Sequence, residues 1–292
     1  MRVTDSMISE LARSSVADAR DRALSAQRVA STGIRVEKPS DDPAGAALGR
    51  RKTSEMARAD AMVKSANAGQ LSLSSVDDGL SHVDDLLARA SELAVQAANA
   101  TTSAGDRASL GSEISSLRDQ ILAVANTQVD GKYVMGGMRQ DTPPFDATGA
   151  FVGDRTSPTI EVAPGVRMPT SISAGEVLAP VGGLDVPAAL ARLSSALGSN
   201  DIVAIRAGID DITTATQQVS TGRGSLGVAQ NALMMAASLG AAVKDQANQV
   251  RAGAVEADAY DSISALTTAQ SALQQAVAIA AKLPLPGLAE KT

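Results

Sequence analysis

The chain has 292 residues, a net charge of −6, no cysteine, one histidine and four aromatic residues, two Tyr and two Phe. That composition excludes disulfides, thiol catalysis, Cys-based zinc or iron–sulfur sites and any two-histidine metal site, and it argues against the basic field of a dedicated nucleic-acid binder. The length predicts two or more domains, and with so few rings the core has to be Leu, Ile, Val and Ala, which suits long helices packed side by side.

The first residues, MRVTDSMISEL, carry Asp5 and Glu10 and no apolar run, so no cleaved secretory signal is expected. A first helix carries Met7, Leu11, Leu24 and Val29 among Ala and Ser, and Gly33 suits its C-terminal end. EKPSDDPAGAA follows, in which Asp42 is an N-cap and Pro43 a first helical residue, so a second helix is predicted from there to about Asn67. Leu73, Val76, Leu80, Val83, Leu87, Ala90, Ala94 and Ala97 then step by 3 and 4, as do Leu110, Ile114, Leu117, Ile121, Val124 and Gln128. Sustained spacing of this kind marks coiled-coil packing. Asp78, His82, Asp85 and Arg89 share another face of the 73–97 segment, read as solvated with weak ion pairs rather than as a metal or acid–base site. The pairs Asp77-Asp78 and Asp84-Asp85 lack the turn glycine and closing Glu of a calcium loop.

From Asp130 to about Val186 the character changes. Two Gly-Gly pairs and seven prolines fall here or at its edge, with three of the four rings, Tyr133, Phe145 and Phe151. Thr159–Ala163, Pro164-Gly165 and Val166–Ile172 read as a β-hairpin, so a small β module with its own aromatic core is expected. Beyond it, Ile202, Ile205, Ile209, Ile212, Thr216 and Val219 form one periodic run, and Leu226, Ala229, Leu233, Ala236, Gly240, Val243, Ala247, Val250, Ala254 and Ala257 another. TGRGSLG at 221–227 and the Gly pair at 136–137 lack the strand, Lys and helix context of a phosphate loop and read as turns. The last helix, with Ile263, Leu266, Gln270, Leu273 and Val277, is out of phase with the run before it, a stutter that re-aims the packing seam.

Ser262 to Ala281 has no charge, yet eight of these residues are Ser, Thr or Gln, too polar for a bilayer span. A helix touching one neighbour keeps a charged outer face. This one keeps none, so burial between subunits is the preferred reading over burial inside its own monomer.

The expected fold is mainly α: an elongated antiparallel helical bundle or coiled coil formed by the N- and C-terminal halves, with a small inserted β module and both chain ends at one end of the rod. The divisions are a terminal polymerisation region, 1–42 with 255–292; a helical rod, 43–130 with 187–254; and an insertion, 131–186. The expected association surface is Met7, Leu11, Leu24, Val29, Ile263, Leu266, Leu273 and Val277. No acid–base or metal constellation supports an enzyme.

Three segments carry a family resemblance. Ser31–Ala47, STGIRVEKPSDDPAGAA, resembles the flagellin N-terminal motif, with Pro39, Ser40, Asp41, Asp42 and Pro43 similar to the flagellar hook–filament junction proteins, the hook-associated protein 3 family. Ala125–Phe145, ANTQVDGKYVMGGMRQDTPPF, resembles the same family through Tyr133, Gly136, Gly137, Pro144 and Phe145. Glu256–Leu283 is similar to its C-terminal helix, whereas the tail LPLPGLAEKT and Met135 depart from the apolar-aromatic ending and the aromatic usual there. The resemblance implies a structural subunit of the bacterial flagellum, extracellular, exported without a cleaved signal, and assembled as a ring of copies between hook and filament. Its implied partners are its own copies, the neighbouring hook-side junction protein, flagellin, and an export chaperone on the C-terminal helix. No nucleic acid, membrane or cofactor is implied. Flagellin itself, and a cytoplasmic chemoreceptor-like signalling coiled coil, are the alternatives; the second lacks a Pro/Gly-rich insertion.

Overall fold

The computed structural model describes residues 5–163 and 165–282. The tail 283–292 and Pro164, expected in the hairpin turn, lie outside the described residues. The helices are α1 (Asp5–Thr32), α2 (Pro43–Ala98), α3 (Ala104–Ala125), α4 (Ala174–Val177), α5 (Val186–Gly198), α6 (Ile202–Val255) and α7 (Ala259–Lys282). Two antiparallel hairpins complete the elements: β1 (Gln128–Val129) with β2 (Lys132–Tyr133), and β3 (Thr159–Ala163) with β4 (Val166–Pro169). The chain divides into two compact units, residues 1–58 with 242–292, and residues 59–241.

The 59–241 unit is a helical bundle of α2, α3, α5 and α6. Leu73, Leu80, Leu87, Ile114, Ile121, Leu190, Leu193 and Ile205 are among its fully buried side chains, most of them on the 3/4 runs seen in the sequence. Glycines set the helix separation. A Cβ on Gly208 would lie 2.7 Å from Leu193 Cδ1, and one on Gly240 would lie 2.7 Å from Val63 Cγ2. Close approach of this kind fills the interior without large rings.

Several expectations change. The second helix does not end at Asn67; α2 runs unbroken to Ala98, because Gly69 faces Leu233 and Thr170 and the contact offsets its poor helix propensity of about 1 kcal/mol. TGRGSLG is not a turn but the interior of α6, where Gly222 lies under Val177 and Arg223 pairs with Asp77 at 3.0 Å and reaches Asp84 at 4.0 Å. Gln128 leaves its helix, which Asn126 closes, and enters β1. The stutter is a break: α6 stops at Val255 and Asp258 Oδ1 accepts from the amides of Tyr260 and Asp261 to start α7. The second hairpin strand stops at Pro169 rather than Ile172.

The insertion has no aromatic core of its own. Phe145 and Phe151 pack edge to face, centroids 5.5 Å apart, with the Arg155 guanidinium 4.6 Å over the Phe151 ring. Phe145, Met135, Ile172, Val177 and Leu178 belong to the same continuous core as Leu80 and Leu190. Gln218 of α6 donates to the carbonyls of Val177 and Leu184 and ties the segment down.

By length and composition α6 could cross a membrane, through an 18-residue window of mean hydropathy 1.4. Here its Leu226, Ala229, Leu233 and Ala236 are buried in the bundle.

One buried cation was not foreseen. Arg107 donates to the carbonyls of Ala97 and Asn99, which end α2, and to Asn200 Oδ1 at 2.7 Å. A cation at a helix C-terminus also complements the helix dipole. Arg107→Met is expected to strand three acceptors and cost on the order of 3 kcal/mol. A urea titration reads this directly; a midpoint equal to the wild type would refute the role.

Candidate assembly surface

The terminal unit is built on α1 and α7. Their seam is small: Ala12, Val16, Ala19 and Ala23 face Ser262, Leu266, Ala269, Leu273 and Ala276, each set stepping by 4 and 3 and at least half-buried. Of the eight residues expected on the association surface, Val29, Leu266 and Leu273 lie half-buried on this seam side. The other five are exposed: Met7 61%, Leu11 68%, Leu24 49%, Ile263 61% and Val277 49%. Ile8, Tyr260 and Ile279 join them, and sequence periodicity alone did not single these out. The amphipathic pattern shows that the outer face is apolar too, but a helix apolar on two sides leaves the seam's phase undetermined.

The two helices differ in their outer faces. α1 carries Glu10, Arg13, Asp18, Arg20, Asp21 and Arg22, whereas α7 carries no charge from Ser262 to Ala281. Within α7 only Ser262 is fully buried, so the face turned away from α1 is not covered by its own chain. An apolar groove of about 370 Å³ opens along the pair, lined among others by Ile8, Leu11, Ala276 and Ile279, without a charged residue. Covering such a face strands no charge.

The Pro39–Pro43 motif forms the joint between α1 and α2. Asp41 Oδ2 accepts from the amides of Glu37 (3.2 Å) and Lys38 (2.9 Å), which fixes the turn. Asp42 Oδ1 accepts from Gly45 N at 2.9 Å and caps α2, with Pro43 at its first position. Arg35 lies 3.5 Å from Asp42 and donates to the Ala254 carbonyl at 2.8 Å, while the amides of Arg35 and Val36 donate to the Val255 carbonyl. The linker thus caps the end of α6. Ala257 N closes the joint on the Gly33 carbonyl, and Gly33 has φ +69°, the left-handed conformation its end-of-helix position requires. Pro39 and Ser40 stand exposed on the turn.

The Gly45 amide, then Arg35, hold the Asp42 carboxyl below its ordinary value of 3.8. The folded state therefore favours the ionised form. Its contribution is present above pH 3.8 and is lost as pH falls through the lowered folded value. Protection of the Gly45 amide from exchange is expected to fall only below pH 3.8 in the wild type and to show no such step in Asp42→Asn. A step at the same pH in the variant would assign it to another carboxylate.

The second motif is scaffold. Tyr133 pairs with Gln128, and its amide donates to Gln140 O at 2.9 Å. Gly136 leaves no room for a Cβ beside Arg139 O, and Gly137 has φ +67° with the Asp154 carbonyl against it. Pro144 O accepts from Val152 N and Gly153 N, and Phe145 is held by both amide atoms of Asn126, at 3.1 and 3.0 Å. Met135 is buried, and its carbonyl accepts from Ala174 N. Gly137→Ala is expected to cost about 1–3 kcal/mol from the positive φ alone, more with the collision; an unchanged melting temperature would contradict this geometry.

His82, Asp78, Asp85 and Arg89 are exposed on one face of α2, as the sequence implies, and Arg89 pairs with Glu92 and Glu113. Among the described residues no group of three or more His, Asp or Glu is placed to hold a metal ion.

Comparison with known proteins meets this geometry in two ways. Residues 3–140 match the family model for the bacterial flagellin N-terminal helical region. No curated protein matches the chain in sequence. Solved structures of similar fold include a flagellar hook-associated protein from Vibrio parahaemolyticus, with TM-score 0.64 and 23% identity over 74% of this chain and 98% of that one. Flagellar hook-associated protein 3 from Legionella pneumophila has TM-score 0.61 and 14% identity over 68% and 97%. FlgL from Bacillus cereus has TM-score 0.55 and 19% identity over 69% and 96%. The joint at Pro39–Pro43 and the hairpin at Gln128–Tyr133 both lie inside the segment that matches the bacterial flagellin N-terminal model, and the chain has the fold of flagellar hook-associated proteins.

Proposed function

We propose that the chain is a non-enzymatic structural subunit of the bacterial flagellum that joins hook to filament as a ring of copies. The observation that carries it is the outer face of α7, exposed yet free of charge from Ser262 to Ala281, in a chain with a flagellin-type N-terminal half. Burial of Ile263, Val277 and Ile279 against neighbouring copies supplies the apolar area a lone two-helix hairpin lacks, so ordering of this region is coupled to assembly. In this reading residues 1–42 with 255–292 are the polymerisation region, 43–130 with 187–254 the helical body, and 131–186 an insertion that stiffens it. The ring sits between a hook-side junction protein and flagellin. Before export the exposed C-terminal helix is covered by a chaperone, and the chain leaves without cleavage.

Deleting the gene is expected to leave cells with hooks, to release unattached flagellin into the medium, and to abolish motility; the full-length chain restores attachment. Filaments that remain attached in the deletion strain would refute the junction role. The protein recovered from flagella should have the same N-terminus as the chain inside the cell by mass spectrometry, and a shortened start would refute export without cleavage.

A further inference from the structure

The 59–241 unit carries a charge-free zone of its own. Between Lys64 and Asp77, α2 has no charged residue, and neither has α6 between Arg223 and Lys244. The two stretches face each other: a Cβ on Gly69 would lie 3.0 Å from Leu233 Cδ1, and Arg223 pairs with Asp77 at the edge of the zone. Their inner side chains, Leu73, Leu226 and Leu233, are fully buried. The outer ones are apolar as well. Val228, Met235 and Leu239 on α6 are 69%, 70% and 54% exposed, spaced 7 and 4 residues apart on one helix face, and form a ridge. On α2, Leu71 is 75% exposed and borders a groove of about 380 Å³ between that helix and the β1–β2 hairpin, which includes Val129 and is rimmed by Asp130 and Lys132. A helix that needs only its own bundle keeps a charged outer face.

We infer that the ridge of one copy packs into the Leu71–Val129 groove of the next copy. This rests on the ring-forming reading above. The occupant follows from size and symmetry. The exposed apolar side chains amount to a few hundred Å², the scale of patches that mark interaction sites, but short of the ~800 Å² each partner gives to a stable pair. The contact therefore forms between copies already held together elsewhere, here by the terminal helices. A ridge and a groove on different helices make a head-to-tail contact, the type that builds rings or helical arrays of many copies, whereas ridge on ridge would close as a dimer.

The absence of cysteine makes the test clean. Full-length Leu71→Cys, Met235→Cys and the double variant are each expressed in the deletion strain, and isolated flagella are oxidised. A disulfide needs Cα atoms ~4.4–6.8 Å apart, so the double variant is expected to give a ladder of linked copies at least roughly tenfold above either single variant. Linked dimers from Met235→Cys alone would overturn the head-to-tail contact. No ladder from the double variant, with the protein present in the flagella by immunoblot, would overturn the inference while leaving the junction reading intact. Absence of the wild-type chain from isolated flagella would overturn the junction reading itself.

Discussion

Ile263→Asp together with Val277→Asp is expected to abolish incorporation into flagella while the melting temperature of the free chain stays within about 2 °C of the wild type. Both side chains are exposed on α7, so a carboxylate there meets water in the monomer and costs little. In an assembly the same carboxylate is buried in an apolar contact without a partner, a cost of several kcal/mol per contact. Repetition around a ring multiplies that cost. Leu266→Asp is a poorer probe, because Leu266 lies half-buried on the seam with α1 and its change also loosens the hairpin. Normal motility and normal recovery of the double variant in flagella would place the assembly contact elsewhere.

Phe145→Ala is expected to be the most damaging single change within the 59–241 unit. Phe145 is fully buried, packs edge to face on Phe151 and is gripped on its backbone by Asn126. Loss of a buried Phe costs ~3–5 kcal/mol, and at ~2–4 °C per kcal/mol the melting temperature falls by roughly 10 °C. Because Phe145, Ile172 and Val177 share one core with Leu80 and Leu190, the loss is expected across that unit as a single transition. For the same reason replacing 130–186 by a short linker should strip the bundle rather than spare it. Its thermal melt, followed by circular dichroism, decides: an early transition confined to the insertion, with the helices melting at the wild-type temperature, would restore the idea of a self-contained module.

What the sequence reveals and hides follows from the range of each interaction. The seams of α2, α3 and α6 are legible because Leu80, Ile121 and Leu233 repeat at helical spacing, a signal contained in the helix itself. The α2 cap is legible for the same reason, since Asp42 and Pro43 act on the turn that follows them. Gly69 and Gly222 mislead because their low helix propensity is a local property, whereas the contacts with Leu233 and Val177 that offset it come from distant parts of the chain. Arg107 and Arg35 are hidden for a related reason. Their acceptors are mostly backbone carbonyls, with one Asn for Arg107 and Asp42 beside Arg35, and no sequence pattern marks a carbonyl as an acceptor. The assembly face is half legible. The missing charges from Ser262 to Ala281 mark α7 as a covered helix, but Ile263 and Leu266 are equally apolar, and only the pairing with α1 separates the outward from the inward.

Immunogold labelling of isolated hook–filament complexes tests the central claim most directly. The account predicts gold confined to a single band where hook meets filament. Label distributed along the filament would make the chain a filament subunit instead, and complexes free of label at the junction would contradict the role.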